Sequence, residues 1–315
     1  MFNATSPIPR SDLSLAFTQF VLDNDYLIGE KALPRTPTNY RTEKVSVQPR
    51  ENYLSTGDDS HANGAEFVRR QSGFKDFLVD NADHGLEELI THQTRAENAD
   101  FFNVEMAVTT SLVATIKVNQ EVRIADQLQS TSTFTGSSLY TDVSATPWTD
   151  STNTQVLAHI TAAIAKVAGN CGLAADTMVI SKKTFGALLN NVFLRGLYGV
   201  NIPYQEFLNN LALAVGLKEI LVGGGIKNTA NPGKTFVGAS IWNDAYVNIF
   251  KKATGDTSMA LPGLGRTFFW QGMAENNANV IMYPVFARDG DMYRVRQFTH
   301  EAVIDPYFGH LLKVA

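Results

Sequence analysis

The chain has a long polar stretch near its start, whereas most of the sequence after it shows regular spacing of hydrophobic residues. Residues 35–82 hold seven Lys/Arg and seven Asp/Glu but no sustained core pattern. Alternating apolar positions predict one short strand over Glu43–Gln48 and a second, weaker strand over Ala65–Arg70. A two-stranded ribbon is only marginally stable in water by itself. We therefore expect this stretch to lie on another surface, most simply a second copy of the chain. The residues before it, 1–34, show one apolar element, Leu13–Leu22.

A helical pattern follows the polar stretch, from about Gly85 to Gln129, with Asp83 as the expected N-cap. The seven-residue repeat with flanking charges that a coiled coil needs is not sustained. The pattern predicts one long amphipathic helix that buries a single stripe. This stripe comprises Phe101, Val104, Val108, Leu112 and Ile116.

Helix and strand patterns alternate through the middle of the chain, which predicts an α/β domain. A first helix is expected between a cap at Asp150 or Ser151 and a stop at Gly169. Two more helices are predicted over Lys182–Phe193 and Tyr204–Val215. The expected strands are Thr177–Ser181, Glu219–Val222, Thr235–Ala239 and Tyr246–Phe250.

The last part of the chain is rich in strand-like runs. Asp289-Gly290 lies between two of them and favours a tight hairpin turn. Helical and β-rich parts therefore follow one another, which indicates an α+β protein. The predicted strands are Arg266–Gln271, Asn279–Phe286, Met292–Phe298 and His310–Val314.

Composition narrows the class of protein. The 315 residues are 44% hydrophobic and 18% charged, which excludes wholesale disorder. The net charge of −5 argues against a protein that binds nucleic acid through a basic surface. The single cysteine, Cys171, excludes an internal disulfide. Met1–Arg10 does not match a signal peptide and no apolar run is long enough to span a membrane, so a soluble intracellular product is expected.

The strings that invite a catalytic interpretation do not complete a known motif. Asn231-Pro232-Gly233-Lys234-Thr235 ends like a phosphate loop, but Asn228 stands where that motif needs a glycine and a strand is predicted where it needs a helix. A turn that leads into a strand explains these residues. Three consecutive glycines, Gly223–Gly225, are interpreted as a flexible loop.

The titratable residues give no stronger signal. No histidine pair has the spacing of a zinc protease, and His159 is expected to be a partly buried structural residue. Asp58 and Asp59 lack the other ligands of a calcium loop and are interpreted as a solvated turn. Cys171 is interpreted as a structural thiol. No cofactor, metal site or enzymatic activity is therefore predicted, and a structural role is favoured.

Several short strings occur in an order that is typical of one family. They are Trp148-Thr149-Asp150, Thr177–Ser181 with Phe185 and Leu188, Gly265–Phe268 with Trp270, Arg294–Arg296, and the closing Gly309–Val314. In these strings and in the order of its parts, the chain resembles the major capsid proteins of tailed bacteriophages, which have the Hong Kong 97-type fold.

The resemblance implies five segments in an α+β capsid fold. They are an N-terminal arm (1–34), an extended loop called the E-loop (35–82), a spine helix of the peripheral P-domain (83–135), an axial α/β A-domain (136–257), and the P-domain strands with the C-terminus (258–315).

The resemblance also implies a function and partners. The chain would be a coat protein that forms hexamers and pentamers of an icosahedral shell around double-stranded DNA, packaged without sequence specificity. Its other expected partners are a scaffolding protein, a portal and a decoration protein, and no membrane. The expected location is the virion capsid, assembled in the host cytoplasm.

Two groups of residues are expected to contact neighbouring subunits. The E-loop contacts are assigned to Arg41, Glu43, Arg50, Glu51, Asp58, Asp59, Glu66, Arg69 and Arg70. The loops at the centre of each hexamer or pentamer are assigned to Arg195, Tyr198, Asn201, Gly223, Gly224, Gly225 and Asn228.

Three alternatives stay open from the sequence. An encapsulin-type nanocompartment would use the same fold for a different shell. A soluble α/β enzyme with an unrecognised site and a phage tail component belong to other classes. Uniform hollow particles in electron micrographs would support the two shell hypotheses, whereas a small oligomer at high concentration would contradict both.

Overall fold

The computed structural model describes residues 8–9, 26–57, 60, 66–67, 69, 71–199, 201–231, 233–254, 263–273 and 279–315. The predicted element Leu13–Leu22 lies outside these residues. The helices are α1 Gly29–Ala32, α2 Glu51–Leu54, α3 His92–Asn98, α4 Val104–Leu128, α5 Val156–Cys171, α6 Lys182–Leu189, α7 Val192–Tyr198 and α8 Tyr204–Val215.

The strands are β1 Ile8–Pro9, β2 Arg35–Thr38, β3 Thr42–Val47, β4 Lys75–Asp80, β5 Ala82–Thr91, β6 Tyr140–Asp142, β7 Thr177–Ser181, β8 Glu219–Gly223, β9 Ile226–Asn228, β10 Gly238–Ser240, β11 Tyr246–Phe250, β12 Gly265–Trp270, β13 Asn279–Val285, β14 Gly290–Val303 and β15 Gly309–Lys313.

Two sheets organise the described part of the chain. The larger sheet has the order β1-β13-β14-β12-β2. A sixth strand, β5, is not in this order and pairs with β14. The second sheet has the order β6-β15-β11-β7-β8. Two antiparallel ribbons, β3-β4 and β9-β10, stand apart from both sheets. Helices and sheets are therefore segregated in one region and alternate in another, which confirms the α+β prediction.

The spine helix, α4, is the long element that the apolar stripe predicts. It has 25 residues, about 38 Å at 1.5 Å per residue. Val113 and Ile116 are buried against Tyr293 and Val295 of the larger sheet. The C-terminal half of the helix packs into a separate and larger core, which the α/β part of the chain builds.

The prediction that this helix starts near Asp83 is wrong. Residues Ala82–Thr91 form β5, which pairs antiparallel with ten residues of β14. Leu86 and Ile90 have helical spacing, but Leu86 is exposed while Ile90 is buried. The ladder to β14 satisfies the backbone polar groups, and this long-range pairing overrides the local pattern.

The chain reaches the spine helix through a short helix and a turn. The Thr91 hydroxyl accepts a hydrogen bond from the backbone N–H of Thr94 and caps α3. The Asn103 side chain caps the spine helix by accepting the N–H of Met106 at 3.1 Å. Phe101, which was expected on the buried stripe, lies in the intervening turn and is 81% exposed.

The α/β region follows the predicted pattern closely. Strands Thr177–Ser181 and Tyr246–Phe250 and helix Tyr204–Val215 have the predicted bounds. The first helix is later than predicted, since it runs from Val156 to Cys171 and Gly172 ends it in a left-handed conformation. The predicted helix Lys182–Phe193 is two helices, because the Asn191 side chain caps a new one by accepting the N–H of Leu194.

Two strands lie elsewhere than expected. The last strand, Gly309–Lys313, was expected among the P-domain strands. It pairs instead with Tyr246–Phe250 and Tyr140–Asp142 in the second sheet. The chain thus returns to the α/β region at its end, where Leu311 and Val314 are buried. The early ribbon pairs Thr42–Val47 with Lys75–Asp80, and the predicted strand Ala65–Arg70 lies partly outside the described residues.

Candidate subunit-contact surfaces

The ribbon β3-β4 is fixed to the larger sheet at its base. Phe77 stacks on Phe268 with ring centroids 6.2 Å apart, and Val79 is fully buried beside them. Val45, opposite Phe77 in the ribbon, packs against the same cluster. This apolar contact supplies the support that an isolated ribbon lacks.

Buried polar groups fix the same base. The Asn81 amide nitrogen donates to Thr38 Oγ1 at 2.8 Å and to the Arg41 carbonyl at 3.0 Å. The backbone N–H of Asp80 donates to His300 Nδ1 at 3.0 Å. These contacts join the ribbon to both β2 and β14. Its direction relative to the larger sheet is therefore set within one subunit.

The first two charged residues assigned to subunit contacts are engaged locally. Arg41 Nε donates to the Asn81 carbonyl at 3.3 Å. Glu43 Oε2 accepts the backbone N–H groups of Asn39 and Tyr40 and closes a turn. Both residues therefore shape the base of the ribbon, and their expected contacts with another subunit stay a prediction.

Arg50 ties the far end of β3 to another part of its own chain. Its guanidinium lies 3.5 Å from the centroid of the Tyr307 ring, and Nη1 donates to the carbonyl of Asn170 at 3.1 Å. The Glu51 carboxylate lies 3.8 Å from Arg50 Nε. The pKa of Glu51 is lowered, mainly because its carboxylate accepts a hydrogen bond from the Glu51 backbone N–H. A cavity of about 330 Å³ lies between this segment and the body of the protein.

The outer part of the polar stretch is only partly described. Glu66 and Arg69 form an ion pair of 3.7 Å in which both side chains are almost fully exposed. Such a pair contributes about 0–1 kcal/mol in a monomer. Asp58, Asp59 and Arg70 lie outside the described residues, so their expected role stays a prediction.

Apolar side chains on this stretch are a feature that the charge pattern concealed. Phe67 is 75% exposed and Phe74 is 66% exposed, and Leu54 and Leu78 are exposed as well. Large exposed apolar side chains within one stretch of chain indicate a contact surface. In the sequence they are separated by polar residues, and the structure shows that Leu54, Phe67 and Phe74 lie in the connection between β3 and β4.

The helix α7 carries two of the residues assigned to the centre of each hexamer or pentamer. Tyr198 packs edge-on against Phe207 with centroids 5.7 Å apart, and burial raises the pKa of its phenol. Arg195 is half-buried on the same helix, and Asn201 is exposed just beyond it. Val192 and Leu197 are exposed on α7 and give it an apolar outer surface.

The three glycines are packing positions rather than a flexible loop. Gly223 and Gly225 are buried, and a Cβ on Gly223 would overlap the Trp242 indole. A Cβ on Gly224 would lie 2.6 Å from the Tyr26 ring. The exposed feature is the ribbon β9-β10 that follows. There Asn228 Oδ1 accepts the backbone N–H groups of Ala230 and Val237 at 3.0 and 3.1 Å.

The remaining candidate chemistry has structural explanations. Gly233 has a φ of 77° and lies in the turn between β9 and β10, as expected, although the strand starts at Gly238 rather than Thr235. Trp148 Nε1 donates to His159 Nδ1 at 3.2 Å, and burial lowers the pKa of this histidine. Cys171 is buried, and burial raises the pKa of its thiol.

Metal binding and membrane insertion are two further functions on which the described residues bear. In these ranges no group of three or more His, Cys, Asp and Glu side chains could hold a metal ion. No helix in the described part of the chain has the length and apolar content needed to cross a bilayer.

Comparisons with known proteins identify the architecture through structure rather than sequence. No protein-family model matches the chain. No curated protein matches its sequence either. A phage-related protein from Bordetella bronchiseptica superposes with a TM-score of 0.74 at 15% identity, over 99% of each chain.

Two further structures are shells by their descriptions. The capsid of the cyanophage P-SCSP1u has a TM-score of 0.59 at 13% identity, over 89% of this chain and 85% of that one. A virus-like particle from Pyrococcus furiosus has a TM-score of 0.55 at 11% identity, over 96% and 98%. The similarity extends over nearly the whole of this chain, which has the α+β Hong Kong 97-type capsid fold.

Proposed function

We propose that this chain is the coat subunit of an icosahedral shell, in which it forms hexamers and pentamers around double-stranded DNA. Its role is structural rather than enzymatic. It is assembled in the host cytoplasm and located in the capsid of the virion. The shared fold with capsid structures supports a shell subunit, while the arrangement of subunits and the DNA content are parts of the proposal.

The early ribbon carries the proposal. Its base is anchored by Phe77 and Asn81, whereas the connection between its two strands exposes Phe67 and Phe74. Burying one such aromatic side chain contributes about 1.5–3 kcal/mol. A projecting element with a rigid base and an apolar outer part is suited to pack on a neighbouring subunit. Repeated contacts of this size stabilise a closed shell together, although each contact alone stays reversible.

We assign the other surfaces by the same reasoning. Helix α7, with Arg195 and Tyr198, and the β9-β10 ribbon, with Asn228, would meet their counterparts at the centre of each hexamer or pentamer. Their exposed apolar residues, Leu197 and Ile226 among them, support a contact there. The segments 1–34, 35–82, 83–135, 136–257 and 258–315 keep their proposed capsid roles with two changes. The spine helix occupies only Val104–Leu128 of its segment, and the last strand lies in the α/β region.

The expected partners follow from the proposed shell. A scaffolding protein would direct assembly, a portal would occupy one vertex, and a decoration protein would bind the outside. The chain's net charge of −5 is compatible with a wall that confines DNA without binding its phosphates tightly. Tight neutralisation of phosphates would oppose release of the DNA.

Electron microscopy of the purified full-length protein tests the proposal directly. We expect uniform hollow shells together with hexamers and pentamers. A monodisperse small oligomer at high protein concentration would contradict a shell function. Particles purified from infected cells should contain double-stranded DNA that resists nuclease. Shells that never contain nucleic acid would instead favour an encapsulin-type nanocompartment.

A deletion tests the part assigned to the ribbon. Removing residues 52–65 should leave a folded subunit, since the base contacts at Phe77 and Asn81 stay in place, but stable shells should not form. Circular dichroism and thermal unfolding establish that the subunit is folded, and sedimentation velocity reports assembly. Normal shells from the deletion variant would refute the assigned role. A variant that replaces the same residues with a Gly/Ser linker of equal length separates loss of contacts from loss of length.

A further inference from the structure

A second cavity lies where the start of the described chain meets the spine helix. It has a volume of about 290 Å³ and is lined by α1, by β2 and by the spine helix. Its polar lining residues include Glu30, Arg35, Lys117, Gln120 and Glu121. Lys117, Gln120 and Glu121 are buried on a helix whose other buried residues are mostly apolar. Buried charges and amides are costly unless they are paired, so the hydrogen bonds of this group decide what the cavity can hold.

The acceptors in the cavity wall are already engaged. Glu121 Oε1 accepts the Ile28 N–H at 2.9 Å and the Trp242 indole N–H at 2.8 Å. Its other oxygen, Oε2, accepts the Gly29 N–H at 2.7 Å. Glu30 Oε1 accepts from Lys117 Nζ at 2.7 Å. Both carboxylates therefore have strong donors from the protein itself.

Gln120 presents an unused donor to the cavity. Its side chain is 2% exposed, and its Oε1 accepts from Lys117 Nζ at 3.2 Å. That contact fixes the orientation of the amide, because a flipped amide would place N–H groups against an ammonium group. The amide nitrogen then points away from Lys117. Within the described residues it has no hydrogen-bond partner.

Arg35 adds a second unused donor. Its guanidinium lies 4.7 Å from the centroid of the Phe269 ring, and its backbone is held in β2 opposite Thr267. Its buried Nε has no acceptor among the parts of the chain that the structure describes. A buried donor that lacks an acceptor destabilises the folded protein. Two of them at one cavity indicate a missing acceptor.

We propose that this cavity binds a small oxyanion of the carboxylate or phosphate class, with Gln120 Nε2 and Arg35 Nε as its donors. Among the described residues that line the cavity, three carry basic side chains, Lys31, Arg35 and Lys117, and two carry acidic ones, Glu30 and Glu121. An anion would therefore offset the excess of positive charge. At about 30 Å³ per water molecule, the volume admits such an anion together with several waters.

The ligand would act as a clamp between chain segments. Arg35 belongs to β2, whereas Gln120 belongs to the spine helix, so one anion bridges two elements that are far apart in sequence. Binding would hold α1 and β2 against the spine helix. This inference does not depend on shell assembly and is tested on the unassembled protein.

Thermal unfolding of the full-length protein is the first test. Sodium phosphate and sodium acetate are compared with sodium chloride at equal ionic strength and pH. We expect at least one oxyanion to raise the midpoint of unfolding in proportion to the logarithm of its concentration, because it binds only the folded protein. Phosphate also stabilises proteins because it is excluded from their surface, so the effect supports the site only if Gln120→Met or Arg35→Lys removes it. With that condition, stabilisation by phosphate alone identifies the phosphate class, and stabilisation by acetate as well identifies the carboxylate class. If neither anion exceeds chloride, water alone fills the cavity and the proposal is overturned.

Variants locate the effect. Gln120→Met keeps the length of the side chain and removes the amide, and Arg35→Lys keeps the charge and removes Nε. Each should weaken anion binding by about tenfold or more, measured by calorimetric titration with the anion that stabilises. Gln127→Met, at an exposed position on the same helix, is the matched control and should leave the affinity unchanged. Equal anion affinity in Gln120→Met and in the unaltered protein would refute the site. If Gln120→Met does not fold, the same comparison is made with Arg35→Lys, and equal affinity there would refute the site.

Discussion

The Glu121 carboxylate accepts the indole N–H of Trp242 at 2.8 Å, and this hydrogen bond joins the spine helix to the α/β region. Both side chains are buried. The same carboxylate accepts the backbone N–H groups of Ile28 and Gly29. One side chain therefore holds together the start of the described chain, the spine helix and the α/β core. A Cβ on Gly29 would lie 2.5 Å from Glu121 Oε2, so only glycine permits this approach.

Glu121→Gln should destabilise the protein by about 1–3 kcal/mol, because its amide nitrogen would face a backbone donor that the carboxylate now satisfies. Denaturant unfolding of the unassembled subunit measures the change. Asp126→Asn, at an exposed position on the same helix, is the control and should change the free energy of unfolding by less than about 0.5 kcal/mol. Equal effects of the two substitutions would contradict the assigned role of Glu121.

Gly223→Ala should destabilise the subunit by about 1–3 kcal/mol, since the added methyl group would overlap the buried Trp242 indole. The matched control is Gly186→Ala, where a Cβ meets no atom within 4 Å and the residue lies inside α6. That control should stabilise by about 0.5–1 kcal/mol, because alanine favours a helix over glycine. Thermal unfolding compares the two, and shifts of the same sign would show that Gly223 is not a packing position.

Stability should fall as the pH is lowered from about 6.5 to about 4, in part through His310. Burial lowers the pKa of His310 to about 4, while its unfolded value is 6.5. In this pH range the unfolded chain binds a proton that the folded protein excludes, so acid favours unfolding. The loss is on the order of 3 kcal/mol at 1.36 kcal/mol per pKa unit, and it is complete below the folded value.

Urea unfolding at a series of pH values measures this dependence. His310→Gln should flatten the curve between pH 6.5 and 4, although it also lowers stability at neutral pH because His310 hydrogen-bonds to Ser138 and Thr141. His92→Gln, at a half-exposed position, is the matched control for the loss of an imidazole. An unchanged slope in His310→Gln would assign the pH dependence to other groups.

Phe67→Ser and Phe74→Ser should leave the subunit folded and impair assembly. Both side chains are mostly exposed in the subunit, so their removal should change the free energy of unfolding by less than about 0.5 kcal/mol. In a shell each substitution would lose about 1.5–3 kcal/mol per contact. Sedimentation velocity and electron microscopy report the yield of shells. Gln71→Ser, at an exposed polar position between them, should assemble normally. Full assembly by the phenylalanine variants would exclude these side chains from the contact.

Local signals determined much of the fold. The α+β class, the spine helix, the strand Thr177–Ser181 and the helix Tyr204–Val215 follow from periodicity within short windows. Such elements are predictable because a few neighbouring residues decide which face is apolar. The hairpin at Asp289 is of the same kind, since Asp289 adopts the left-handed conformation that the Asp-Gly pair favours.

Long-range contacts decided the rest. Ala82–Thr91 has a helical spacing of leucines, yet it is a strand because β14, about two hundred residues later, offers a full ladder of hydrogen bonds. Gly309–Lys313 joins the second sheet for the same reason. The sequence also marked Arg41, Glu43 and Arg50 as charges for a neighbouring subunit, but their partners within the chain become visible only in three dimensions.

The polar stretch and the helical pattern were properties of the sequence itself, because charge balance and periodicity need no knowledge of the fold. The burial of Gln120 and Glu121 was decided only by tertiary structure. On a helical wheel they are ordinary polar residues. In the folded protein, Ile28, Arg35 and Trp242 from distant parts of the chain lie beside them, which makes Glu121 a link between segments and Gln120 part of a candidate anion site. The physical reason is that the hydrogen-bond partners of a buried polar group are set by its neighbours in the folded structure and not by its place in the sequence.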